Sequence, residues 1–185
     1  MNILEMAGVL TGLLYLWLEY RASIYLWPVS IVMPAIYPVV YFKAGLYADS
    51  GINIYYMLAA VYGWCMWCGK RGNSQKKRNI TCMPLRFYAL SALVGMLLFF
   101  PMGWLLASFT DSDVPWWDSL TTALSVVALW MLARKYVEQW LLWIVVDVLC
   151  CALYVYKELY PTAALYGLYA VIAVFGYMKW KKMMN

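Results

Sequence analysis

The sequence predicts an all-α integral membrane protein: seven transmembrane helices, arranged as two parallel three-helix repeats joined by a linker helix. Three observations predict it. The 185-residue chain is 66% hydrophobic and only 12% charged, against about 45–50% and about a quarter in soluble domains. That apolar surplus cannot be hidden inside one globule of this size. Seven apolar stretches follow one another, each near the ~20 residues that cross a bilayer as a helix. Finally, the chain overlays on itself at an offset of 113 residues without a gap.

The stretches lie at 2–18, 23–42, 51–68, 87–108, 116–133, 137–156 and 160–179, separated by polar or Pro/Gly breaks. A transmembrane barrel would show alternating segments of about 10 residues instead. The second span carries Pro28, Pro34 and Pro38; proline within a helix removes a backbone hydrogen bond and kinks it. Pro34 and Pro38 are therefore candidate gating hinges, with a static kink as the alternative. With seven spans, Arg21, the loop 69–86, the Arg134–Lys135 pair and Lys179, Lys181 and Lys182 share one side. That side holds 12 of the 14 Lys and Arg, and only Lys43 and Lys157 fall on the other. Basic loops stay in the cytoplasm, so the N-terminus is expected outside and the C-terminus inside. The loop 69–86 reads as a topology anchor rather than a nucleic-acid patch. The start of the chain has no basic region before its first apolar run, so it does not read as a cleaved signal peptide.

The self-overlay matches 14 of 52 positions over residues 16–67. Three of the matches are Trp (17 with 130, 27 with 140, 67 with 180) and three are Tyr; Arg21 meets Arg134 and Gly63 meets Gly176. Spans 1–3 pair with spans 5–7. A three-helix unit enters on one side and leaves on the other, so repeating it in the same orientation requires one more crossing, which span 4 supplies. The resulting organisation is a first repeat at 1–68, a basic loop at 69–86, a linker helix at 87–109 and a second repeat at 116–180. Parallel repeats about an axis along the membrane normal are a transporter architecture, with the substrate near the midplane where the repeats meet.

Chemistry-bearing residues are few. The chain has no His, which removes imidazole metal sites and the commonest general base. No cofactor or metal is expected. Cys65-x-x-Cys68 lies in an apolar stretch without a second ligand pair and reads as packing. No phosphate-binding Gly-Lys-Ser/Thr loop is present, and isolated carboxylates argue against an enzyme. Few ionisable residues fall inside the spans; Glu5 lies near the start of span 1, at an outer interface, and Asp147 in the middle of span 6. A carboxylate at mid-bilayer calls for a functional or pairing explanation. Trp140, Trp143 and Asp147 follow i, i+3, i+7 spacing and share a helix face. Two indoles and a carboxylate suit a flat cation, with a lipid-facing aromatic belt as the alternative. In the other repeat, Ser30 and Pro34 stand where Trp143 and Asp147 do. Tyr56, Tyr169, Asn53 and Tyr166 are secondary candidates at mid-span in spans 3 and 7. No Lys or Arg lies deep in a span, so a phosphorylated cargo should be repelled.

Trp140-x-x-Trp143-x-x-x-Asp147, Trp27-Pro28, Leu46-Tyr47-Ala48-Asp49, Tyr55-Tyr56 and Tyr62-Gly63-Trp64-Cys65-Met66-Trp67 resemble the signature of the PnuC-type vitamin transporters. The resemblance covers nearly the whole chain. It implies a fold similar to the full-length SWEET sugar transporters and facilitated uptake of a dephosphorylated vitamin across the bacterial inner membrane. It also implies a functional link to a cytoplasmic kinase that traps the cargo. Family members take up nicotinamide riboside or, in the PnuT branch, thiamine; Asp at the last motif position tilts the expectation to thiamine. A sugar carrier on the same architecture and a membrane regulatory subunit are the alternatives. The sequence leaves homo-oligomer formation open.

Overall fold

The computed structural model describes residues 3–31, 47–68, 79–110 and 113–184. They form helices α1 (Ile3–Tyr20), α2 (described over residues 26–31), α3 (Tyr47–Cys68), α4 (Leu85–Phe109), α5 (Pro115–Ala133), α6 (Gln139–Tyr156) and α7 (Tyr160–Met184). Each falls on an expected span. Four helices among the described residues, α4 to α7, are long and apolar enough to cross a bilayer. Pro34 and Pro38, the hinge candidates, lie outside the described residues.

The chain divides into two compact units, Met1–Asn79 and Ile80–Asn185; α4, expected from the sequence as a linker, belongs to the second. In that unit α4 packs on α5, α5 on α6 and α6 on α7. The helices approach closely where glycine or a hydroxyl replaces bulk. The Trp116 ring lies against Gly103, where a side chain would stand, and the Ser119 hydroxyl donates to the Phe99 carbonyl at 2.6 Å. Pro115 starts α5 at the position where a missing N–H costs nothing.

Helix ends repeat one device. α1 closes with Ala22 N–H on the Glu19 carbonyl (2.8 Å) and Ser23 N–H on the Leu18 carbonyl (2.9 Å). α5 closes with Lys135 N–H on Leu132 (2.9 Å) and Tyr136 N–H on Met131 (3.0 Å). Both are Schellman caps, in which a left-handed residue lets two carbonyls of the last turn be satisfied. Ala22 (φ 49°) and Lys135 (φ 57°) take that role, and they are matched by the 113-residue offset. Glu158 (φ 59°) does the same after α6.

The end of the basic loop is built into the second unit. Thr81 pairs with Tyr136 in an isolated parallel bridge, made by Thr81 N–H on the Lys135 carbonyl and Val137 N–H on the Thr81 carbonyl, both 3.1 Å. Glu138, which precedes α6, does not cap that helix. Its carboxylate instead accepts the Met83 N–H at 3.0 Å and the Tyr88 hydroxyl at 3.1 Å. Residues 80–84 thus strap the start of α4 to the start of α6.

One acid escaped the sequence reading. The apolar pattern ends span 1 at residue 18, whereas α1 runs to Tyr20 and carries Glu19 inside with 1% exposure. Tyr15, one turn earlier, hydrogen-bonds its carboxyl. A helix-spaced Tyr four residues before an acid was the available signal.

Candidate functional site

α6 and α7 are joined by the tight turn at 157–159 and run antiparallel, so residues of α6 meet residues of α7 in reverse order. At one end, the Trp140 ring lies over Gly176, where a Cβ would come within 2.7 Å of the indole. The same ring meets Trp180 edge-on, with centroids 5.7 Å apart at 86°. Trp140 has 0% exposure. At the other end, Tyr154 stacks on Tyr166 at 5.2 Å and 28°, and their hydroxyls are hydrogen-bonded. Tyr166 in turn meets Tyr169 edge-on at 5.6 Å. Between these rungs, a Cβ on Gly167 would stand 3.8 Å from the Cys151 sulfur.

Asp147 sits midway. It is seven residues from Trp140 and seven from Tyr154, about 10.5 Å of helix in each direction. It is buried at 6% exposure and lies within electrostatic range of Cys150, Tyr166 and Tyr169. Asp118 on α5 acts on Cys150 and Tyr154. The Trp117 indole N–H donates to the Leu149 carbonyl at 3.2 Å and ties α5 to this stretch of α6. No Lys or Arg occurs in 115–133, 139–156 or 160–178. The face is acidic, aromatic and free of fixed positive charge. Among the described residues no group of His, Cys, Asp and Glu is arranged to hold a metal ion.

The structure therefore gathers Asp147, Tyr166 and Tyr169, three of the expected site residues. Trp143, one turn before Asp147, is half-buried, and its indole N–H has no hydrogen-bond partner among the described residues. Trp140 is committed to the packing of α6 on α7. Tyr56 is half-buried on α3 and packs near Tyr55 with centroids 5.8 Å apart; it lies in the first unit. The side chain of Asn53 lies outside the described residues. Tyr154 was missed. It extends the 140–147 spacing by a further seven residues, so the helical repeat itself was the signal.

Comparison with known proteins gives this arrangement its context. Residues 2–182 match the family described as "Nicotinamide mononucleotide transporter". The chain belongs to that family. Its relatives include the nicotinamide riboside transporter PnuC of Escherichia coli, 23% identical over 96% of this chain and 84% of that protein. The PnuC of Neisseria mucosa is 24% identical over 98% and 73%. The riboflavin/roseoflavin transporter RibM of Streptomyces davaonensis is 25% identical over 95% and 83%. A solved structure, "Crystal structure of the Vitamin B3 transporter PnuC", shares the fold with a TM-score of 0.70, at 23% identity over 95% of this chain and 79% of that one. As a PnuC-family member, the chain is a multi-pass inner-membrane vitamin transporter and not an enzyme. The tilt towards thiamine finds no support in these relatives, whose named cargoes are nicotinamide riboside and riboflavin. The physical reason is plain: a carboxylate is satisfied equally by either cationic ring, so Asp147 does not choose between them.

Proposed function

We propose that this family member carries nicotinamide riboside into the cytoplasm, binding it on the Asp147 face of α6 and α7. The observation that carries the reading is the composition of that face. A buried carboxylate lies beside a tyrosine ladder, in three spans without a Lys or Arg. The pyridinium is flat and cationic: Asp147 opposes its charge, Trp143 and Tyr169 offer ring faces, and Tyr154 and Tyr166 present hydroxyls to the ribose. Trp143 contributes on the order of 0.5–2 kcal/mol through its ring quadrupole. A nucleotide phosphate would meet Asp147 and Asp118 with no counter-charge in these helices. The family takes its name from the nucleotide; the charge of this face favours the nucleoside. Riboflavin has no fixed positive charge and gains nothing from the acid.

Transport follows alternating access by the two three-helix repeats, driven by the cargo gradient. The basic residues set the N-terminus outside and the C-terminus inside. Phosphorylation by a cytoplasmic kinase then makes the product one that this face rejects, so that entry is not reversed.

The test is uptake into proteoliposomes without an energy source, with labelled nicotinamide riboside, nicotinamide mononucleotide, thiamine and riboflavin in parallel. Nicotinamide riboside should equilibrate and the nucleotide should stay outside. Entry of the nucleotide at a comparable rate, or entry of thiamine or riboflavin without nicotinamide riboside, would overturn the assignment.

A further inference from the structure

Trp140 opens the sequence motif, yet its ring is wholly buried on Gly176 and against Trp180. The first unit holds the same arrangement. The Trp27 ring occupies the place where a Gly63 side chain would stand, and it meets Trp67 edge-on at 5.5 Å and 87°, against 5.7 Å and 86° for Trp140 and Trp180. Trp27 has 1% exposure and Trp140 none. The three residues match pairwise at the 113-residue offset, as do the helix caps and the arginines that follow. Arg21 lies over the Trp17 ring at 4.7 Å and Arg134 over the Trp130 ring at 5.5 Å. The same geometry in two separately packed units is a built device: it recurs where the neighbouring residues differ, with Ser30 in one unit at the position of Trp143 in the other.

A ring seated on a glycine Cα fixes two helices along their axes. The glycine notch is one residue long, and the residues about one turn away, Ala173 and Trp180 on α7, carry side chains that would strike the indole if α7 slid by a turn. Seven residues on from Trp140 stands Asp147; seven residues back from Gly176 stands Tyr169. Equal steps along antiparallel helices place those two across from each other.

We infer that Trp140 is a positioning residue: seated on Gly176 and braced by Trp180, it sets the register of α6 on α7 and so holds Asp147 opposite Tyr169, while Trp27, Gly63 and Trp67 set the same register in the first unit. Its bearing on transport rests on the reading of the Asp147 face given above; the register itself does not.

The seat has a readout that needs no cargo. Gly167→Cys places a sulfur next to Cys151, within the span a disulfide bridges. Oxidative cross-linking of that variant, quantified by mass spectrometry, therefore reports the α6–α7 register. Adding Gly176→Ala should cut the cross-link at least fivefold and raise the KM for nicotinamide riboside at least tenfold, with a smaller change in maximal rate. Adding Trp140→Phe to Gly176→Ala makes room for the new methyl and should restore both; Trp27→Phe in its place should restore neither. If Gly176→Ala does not accumulate in the membrane, Trp140→Phe with and without it decides, and the paired variant should cross-link better. Parental cross-linking in Gly176→Ala, or a paired variant no better than its worse single, overturns the inference. Cross-linking that follows the seat while KM stays constant upholds the register and removes Asp147 from the cargo site.

Discussion

The two units of this transporter close α1 and α5 with the same cap, place an arginine over the same tryptophan and seat the same indole on the same glycine. They differ in what those parts carry. Position 147 is Asp in the second unit and its counterpart is Pro34; position 143 is Trp and its counterpart is Ser30. The buried polar groups are also exchanged. Glu19 is buried where the second unit has Leu132, and Gln139 is buried where the first has Leu26. Geometry was retained in both copies, while polar chemistry was placed in one copy at a time. The asymmetric nucleoside proposed as cargo would draw on that division of labour.

The comparison can be broken in three places. The largest effect is expected at Asp147. Asp147→Asn keeps the shape and removes the charge, leaving a desolvated cation without its partner; a loss of about 3 kcal/mol corresponds to roughly a hundredfold in transport efficiency. Uptake kinetics in proteoliposomes check it, and unchanged kinetics would mean that the acid present in one copy alone is not what recognises the cargo. A smaller effect, of opposite sign, is expected at Gln139. Its side-chain amide is fully buried, and neither its nitrogen nor its oxygen has a hydrogen-bond partner among the described residues. Gln139→Leu installs what the first unit has at that position and should stabilise the fold by about 1 kcal/mol, read as thermal unfolding in detergent. Destabilisation would show that this amide serves a partner that a leucine cannot. The smallest effect belongs to the shared caps. Ala22→Gly and Lys135→Gly relieve left-handed residues and should each add about 0.5–1 kcal/mol. Equal gains in the two units sharpen the equivalence, and a gain in one alone breaks it.

The sequence by itself determined the helical membrane class and the places of the helices, because about 20 apolar residues in lipid have no other way to satisfy their backbone. It also made Asp147 conspicuous, since an isolated mid-span acid violates the pattern of everything around it. Tertiary structure decided which neighbours each motif residue has. Helical spacing puts Trp140, Trp143, Asp147 and Tyr154 along one side of α6 but is silent on which of them α7 covers. Only packing shows that Gly176 takes up Trp140, that Tyr166 engages Tyr154, that Glu19 is drawn inside and that Glu138 turns away from its own helix to hold residues 83 and 88. Periodicity is a property of one helix, whereas burial belongs to the pair, and a side chain's role follows from the pair.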